Sequence, residues 1–133
     1  MNLFVLAYVI AMPLFVAIDM IWLLGLGRTY YVDEIGGLLR ASPNFTAALS
    51  FYLLYVFGMV YFAVSGALHN GNPLQAMLQG AIFGLIAYAT YDLTSLAVLN
   101  GFTTKIAVID MVWGSVLTGA VSWLVTRIVL ALA

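Results

Sequence analysis

The chain has 133 residues, 65% of them hydrophobic and only 7% charged, against roughly 25% charged in an average soluble domain. Four Lys and Arg against five Asp and Glu give a net charge of −1, so there is no basic patch to hold phosphates and nucleic-acid binding is excluded. A mean hydropathy of +1.14 and no cysteine point to an integral membrane protein without disulfides or thiolate metal sites.

Four apolar windows, about 3–26, 45–68, 76–99 and 106–131, are each long enough to cross hydrocarbon. Nothing alternates with period two, so an all-α fold is predicted: a four-helix transmembrane bundle, with residues 1–133 forming a single transmembrane domain. The first window lacks a basic leader and outruns the apolar core of a cleaved signal, so it is expected to stay as an anchor. Pro13 within it frees the Val9 carbonyl and predicts a kink. Residues 27–44 carry four charges, yet Tyr30, Tyr31, Ile35, Leu38 and Leu39 recur at helical spacing, which predicts an interfacial amphipathic segment between the first two spans. Asp33 and Glu34 within it are expected to be solvated.

The second and third spans are joined by His69-Asn70-Gly71-Asn72-Pro73, a dense run of turn formers. Asn100-Gly101 stops the third span, and a threonine of Thr103-Thr104 caps the fourth. Gly80 and Gly84, extended by Ala76 and by Tyr88 and Asp92, form an i+4 row, as do Asp110, Gly114, Thr118 and Ser122, marking helix faces that pack closely. His69 stands alone in the sequence, too few for a zinc or haem site. Arg28, Arg40 and Lys105 flank the first and third connections and only Arg127 the other side, so the positive-inside rule places both termini outside the cytoplasm.

Asp19, Asp92 and Asp110 lie roughly 6–10 Å inside one membrane boundary, counting 1.5 Å per residue. An Asp at a helix centre costs roughly 2.5–3.5 kcal/mol on insertion scales, so all three should face inward. Packed together without a cation, they cannot all be ionised; either protons are shared or something positive binds. Ala17-Ile18-Asp19-Met20-Ile21-Trp22 and Val108-Ile109-Asp110-Met111-Val112-Trp113 repeat a D-M-[IV]-W pattern in helices of opposite direction. Asp and Trp at i and i+3 share a face, so each helix is expected to offer a carboxylate beside an indole. Tyr88, Tyr91 and Thr94 add aromatic and hydroxyl groups near Asp92. Acid plus aromatic suits cations; the alternative is that Trp22 and Trp113 form an interfacial belt.

Tyr52-Leu53-Leu54-Tyr55-Val56, Ala87-Tyr88-Ala89-Thr90-Tyr91-Asp92-Leu93-Thr94-Ser95-Leu96-Ala97 and Asp110-Met111-Val112-Trp113-Gly114, with Asp19, Trp22, the Tyr-Tyr after Arg28 and Pro43-Asn44, resemble the bacterial membrane family called domain of unknown function 2177. Ser95 stands where the family pattern has Asn. The resemblance implies a four-helix, multi-pass protein of the bacterial inner membrane whose signature residues include Asp19, Trp22, Tyr91, Asp92, Thr94, Asp110 and Trp113. It implies no activity.

Three functions fit these residues. The first is binding or transport of a small cation by Asp19, Asp92, Asp110, Trp22, Trp113, Tyr88, Tyr91 and Thr94, with or without proton exchange. The second is a lipid-modifying enzyme, in which the aspartates hold a divalent cation such as Mg²⁺ or Mn²⁺. The third is an accessory subunit whose acids pair with a larger partner. A homodimer would enlarge the site, and the lipid bilayer is the common partner of all three.

Overall fold

The computed structural model describes residues 2–133, and among them the fold is all helix. The first span is α1 (Leu3–Ile21) followed by a π turn at Trp22–Leu26. Its N-cap is Asn2, whose side chain accepts from the Phe4 N–H at 2.7 Å. Helical structure runs unbroken through Pro13; the departure from α geometry comes instead at Trp22–Leu26, next to Gly27. A Cβ on Gly27 would overlap the Trp22 ring, so glycine is what allows the turn to fold over that indole.

A short helix, α2 (Arg28–Ile35), and a single 3₁₀ turn at Gly36–Leu38 follow. A helix is therefore present where the amphipathic segment was expected, but it is shorter than the apolar spacing suggests and buries only Ile35 fully. Its inner face is Tyr31 and Ile35, packed with Phe102, Ile106 and Ala107 at the last turn of the chain. Leu38 and Leu39 remain exposed. Glu34 is half-buried and accepts a 2.7 Å hydrogen bond from the Thr103 hydroxyl, which corrects its assignment as a solvated side chain. The hydroxyl of Thr103 also accepts from the Ile106 N–H, so α2 is tied to the residue that caps the last helix.

The second span is α3 (Phe45–Met59), a π turn at Val60–Val64 and α4 (Ser65–Asn70). It ends on Gly71 at φ 62°, a left-handed cap that glycine adopts without penalty. The third span, α5 (Pro73–Val98), opens with Asn72 as N-cap and Pro73 in the first turn, where the missing N–H costs nothing. The fourth is α6 (Thr104–Leu132), capped by Thr103. Four helical stretches are long and apolar enough to cross a membrane: Leu3–Leu26, Phe45–Asn70, Pro73–Val98 and Thr104–Leu132.

Lipid tails are as apolar as leucine, so close van der Waals contact rather than water exclusion holds such helices together. The tightest pair is α5 with α6. Gly84 lies against the Gly114 carbonyl and Thr118, and Gly80 against Ser122 and the Thr118 carbonyl, leaving no space for a Cβ at either. The Ser115 hydroxyl donates across this seam to the Ala81 carbonyl at 2.9 Å. On α1, Ala7, Ala11, Phe15 and Asp19 make one buried i+4 row, whose apolar members pack with Val56, Met59, Val60, Leu117 and Val121. The backbone of α5 approaches the Val60–Val64 turn and α4 but diverges from α3. A gap therefore opens between α3 and α5 at the end of the bundle that carries the aspartates.

Candidate functional site

The three aspartates all face inward: Asp19, Asp92 and Asp110 are buried, at 4%, 0% and 9% exposure. Their surroundings differ. Both oxygens of Asp19 are taken, Oδ2 by the Tyr52 hydroxyl at 2.6 Å and Oδ1 by the Trp113 indole N–H at 2.9 Å. Asp110 Oδ1 accepts from the Tyr31 hydroxyl at 2.6 Å, and that hydroxyl accepts from the Trp22 indole N–H at 2.9 Å. Burial first, and then the Asp110 carboxylate beside it, push the Tyr31 phenol up from its ordinary range, so it stays protonated and keeps donating.

Each indole thus serves the aspartate of the other helix. Trp113 of α6 donates directly to Asp19 of α1, and Trp22, just past α1, reaches Asp110 of α6 through Tyr31. The two rings stack between them, 4.6 Å apart and 13° from parallel, with Tyr30 stacked on the outer face of Trp22 at 6.2 Å. Sequence spacing pairs each Asp with the Trp three residues on; the fold exchanges the partners, because antiparallel helices bring the two repeats side by side. Both indoles are half-buried and bonded inward. Trp123 near the opposite end of α6 is the exposed indole, with the Arg127 guanidinium 5.5 Å above it.

Asp92 stands behind this network. In the α5–α6 seam Gly80 meets Thr118 and Ser122, Gly84 meets Gly114 and Thr118, and Tyr88 meets Gly114; one turn further along the same ladder Asp92 faces Asp110, yet neither of its oxygens has a hydrogen-bond donor. Ser95, one turn further along α5, is buried beside it. Thr94, expected near the site, is exposed: two residues from Asp92 on a helix is about 200° of rotation, which turns it to the outer surface. Tyr91, one residue away, is 59% exposed and packs its edge on Phe102 at 6.1 Å; it stands at the rim. Tyr88 shares the Asp92 face and lies against Gly114, where no Cβ would fit.

In the gap between α3 and α5 is a cavity of about 350 Å³. Asp19 and Asp110 line it on one side, and the rings of Phe51, Tyr52, Tyr55, Tyr88 and Tyr91 surround them. Asp92 is not part of its wall. A wider, wholly apolar cleft of about 510 Å³ adjoins it along the same helices, sharing Phe51 and Tyr55. Phe51 and Tyr91, at its rim, are exposed, so the cavity is open to the outside of the bundle.

Sequence reasoning did not single out Tyr31 and Tyr52 as partners of the acids, nor Phe51 and Tyr55 as walls. The signal was present in the Tyr52-x-x-Tyr55 spacing, which puts both rings on one face of α3. The aspartates do not converge as metal ligands: no cluster of three His, Cys, Asp or Glu side chains able to hold an ion occurs among the described residues. No ion pair forms among them either, and Arg28, Arg40, Lys105 and Arg127 all point to the exterior.

This bundle is a small, multi-pass integral membrane protein. The chain belongs to the family described as predicted membrane protein (domain of unknown function 2177), matched over residues 4–127. No curated protein and no solved structure matches it.

Proposed function

We propose that the protein binds a lipophilic monovalent organic cation, which enters the acid and aromatic cavity from the bilayer. The observation that carries this reading is the pairing of two buried carboxylates, Asp19 and Asp110, with five aromatic rings around about 350 Å³, with no lysine or arginine turned toward them. Uncompensated negative charge in a low dielectric attracts a cation, and an aromatic face adds about 2 kcal/mol or more when water is excluded. The volume suits a small ligand, within the roughly 300–1,000 Å³ of such sites. The adjoining apolar cleft offers room for a hydrophobic substituent. Asp19 and Asp110 supply charge, Tyr52, Tyr31 and Trp113 hold those carboxylates in place, and Phe51, Tyr55 and Tyr88 present ring surface.

An accessory role, with a partner's basic side chain neutralising the acids, is less well supported, because Asp92 is buried away from the surface and the cavity beside Asp19 and Asp110 is lined mostly by rings, which suits a small ligand rather than a protein side chain. A bacterial inner-membrane location, with both termini outside the cytoplasm, goes with this proposal.

Tetraphenylphosphonium is the probe. Purified protein in detergent should bind it saturably, read by quenching of tryptophan fluorescence, and Asp19→Asn or Asp110→Asn should weaken binding about tenfold, the equivalent of roughly 1.4 kcal/mol. Unsaturable partitioning, the same in wild type and both variants, rejects the proposal. Uptake by reconstituted vesicles then decides between a binding protein and a transporter.

A further inference from the structure

Asp92 is fully buried, yet both of its carboxyl oxygens lack a donor. A buried carboxylate without a hydrogen bond or a counterion is among the costliest arrangements a protein can hold, and in hydrocarbon the cost is not relieved by water. The buried Ser95 nearby makes no hydrogen bond to it, and across the α5–α6 seam it faces another acid, Asp110, which already accepts from Tyr31 through Oδ1. Two carboxyls that face each other in a dry seam with no counterion are relieved by a hydrogen between them. Since Asp110 is held as an acceptor, the hydrogen belongs on Asp92, which then donates to Asp110.

We propose that Asp92 and Asp110 form a one-proton site linked to the cavity, so that occupation of the cavity by a cation expels the proton and a proton on Asp92 weakens the cation's hold. The step is a simple ionisation: the carboxyl O–H bond of Asp92 breaks, the electron pair stays on oxygen and the proton passes to solvent. No co-reactant is required. Asp110 is the only member of the pair in the cavity wall, so it feels both the cation and the proton, whereas Asp92 feels the cation only through it. The titratable groups facing the pair are Asp19 from α1, Tyr31 from α2 and Tyr88 and Tyr91 from α5, with Tyr52 of α3 one carboxylate further away. The phenols are already protonated, and the Asp19 carboxylate already accepts hydrogen bonds at both oxygens, so the proton leaves through Asp110 and the cavity to water. Linkage fixes the sign: a cation beside a carboxyl favours its ionised form, so affinity rises with pH, by up to tenfold per unit where one whole proton is released.

This inference rests on the cation reading, and its test separates the two. Calorimetric titration of purified protein with tetraphenylphosphonium in two buffers of different ionisation enthalpy counts the protons released. The wild type should release a proton over the part of the pH range in which affinity rises. Asp92→Asn, whose amide can still donate to Asp110, should bind with the affinity of the protonated wild type and release none. Equal release from wild type and Asp92→Asn overturns the proposal. Infrared spectroscopy of the ligand-free wild type supplies a readout that needs neither the ligand nor the variant: a protonated-carboxyl stretch should be present at neutral pH and vanish as pH is raised. Its absence overturns the proposal even if the cation binds. Its presence, together with its loss in Asp92→Asn, upholds the proton site even if tetraphenylphosphonium does not bind and the cation reading falls.

Discussion

Asp19 depends on two groups far away in the sequence, Tyr52 and Trp113. Trp113→Phe keeps the stacked ring but removes the N–H. A hydrogen bond to a charged group contributes roughly 1.5–3 kcal/mol, and that loss should appear as a lower unfolding midpoint in detergent, with the stack on Trp22 retained. Tyr31→Phe should cost a similar amount, since it strips one donor from Asp110 and leaves the Trp22 N–H without an acceptor. At this scale the sequence was informative about chemistry and poor about partners. That Asp19, Asp92 and Asp110 turn inward was legible, because the cost of a carboxylate in lipid leaves no other choice. Which indole meets which carboxylate was not, since it depends on how two antiparallel helices are set against each other. Thr94 and Ser95 illustrate a different failure: nearness in sequence suggested Thr94, whereas the rotation of a helix selects Ser95.

Among the elements, the spans were legible to within a few residues, because bilayer thickness, N-caps and turn glycines all constrain the same boundaries. The π turns at Trp22–Leu26 and Val60–Val64 were not, since nothing in their composition separates them from ordinary helix. The glycines of α5 and α6 were read correctly as packing residues, and the structure shows what each one meets. Gly84→Ala would drive a methyl group into the Gly114 carbonyl and Thr118. Overpacking of this kind costs about 1–3 kcal/mol, and the variant should melt earlier in detergent by a corresponding margin. Gly25→Ala is the control: a Cβ there meets nothing within 4 Å, and its effect should stay within about 0.5 kcal/mol. Thr103→Ala removes both the cap of α6 and the tie to Glu34. About 1 kcal/mol of capping is lost, and faster amide exchange should spread through α2 as well as through the first turn of α6.

For the molecule as a whole, the charges outside the hydrocarbon predict an orientation. Arg28, Arg40 and Lys105 lie on the side of α2, and Arg127 near the other. By the positive-inside rule α2 and the α5–α6 turn should face the cytoplasm. Because the chain contains no cysteine, single replacements report cleanly. In intact cells His69→Cys should react with a membrane-impermeant maleimide and Gly37→Cys should not; the reverse pattern would invert the molecule. In that orientation the mouth of the cavity would lie in the cytoplasmic leaflet, and a lipophilic cation would reach it by lateral diffusion within that leaflet.

The crossed bonding of Asp19 and Trp113 has a further consequence for how the chain is made. Its two ends are 94 residues apart, so during synthesis the first helix enters the membrane long before its indole donor exists. Until α6 emerges, Asp19 has Tyr52 as its nearest native donor, and a nascent chain halted before Trp113 leaves an acid in the membrane without its second hydrogen bond. The last helix is therefore the clasp of the assembly: only when α6 is in place does Asp19 receive its second donor.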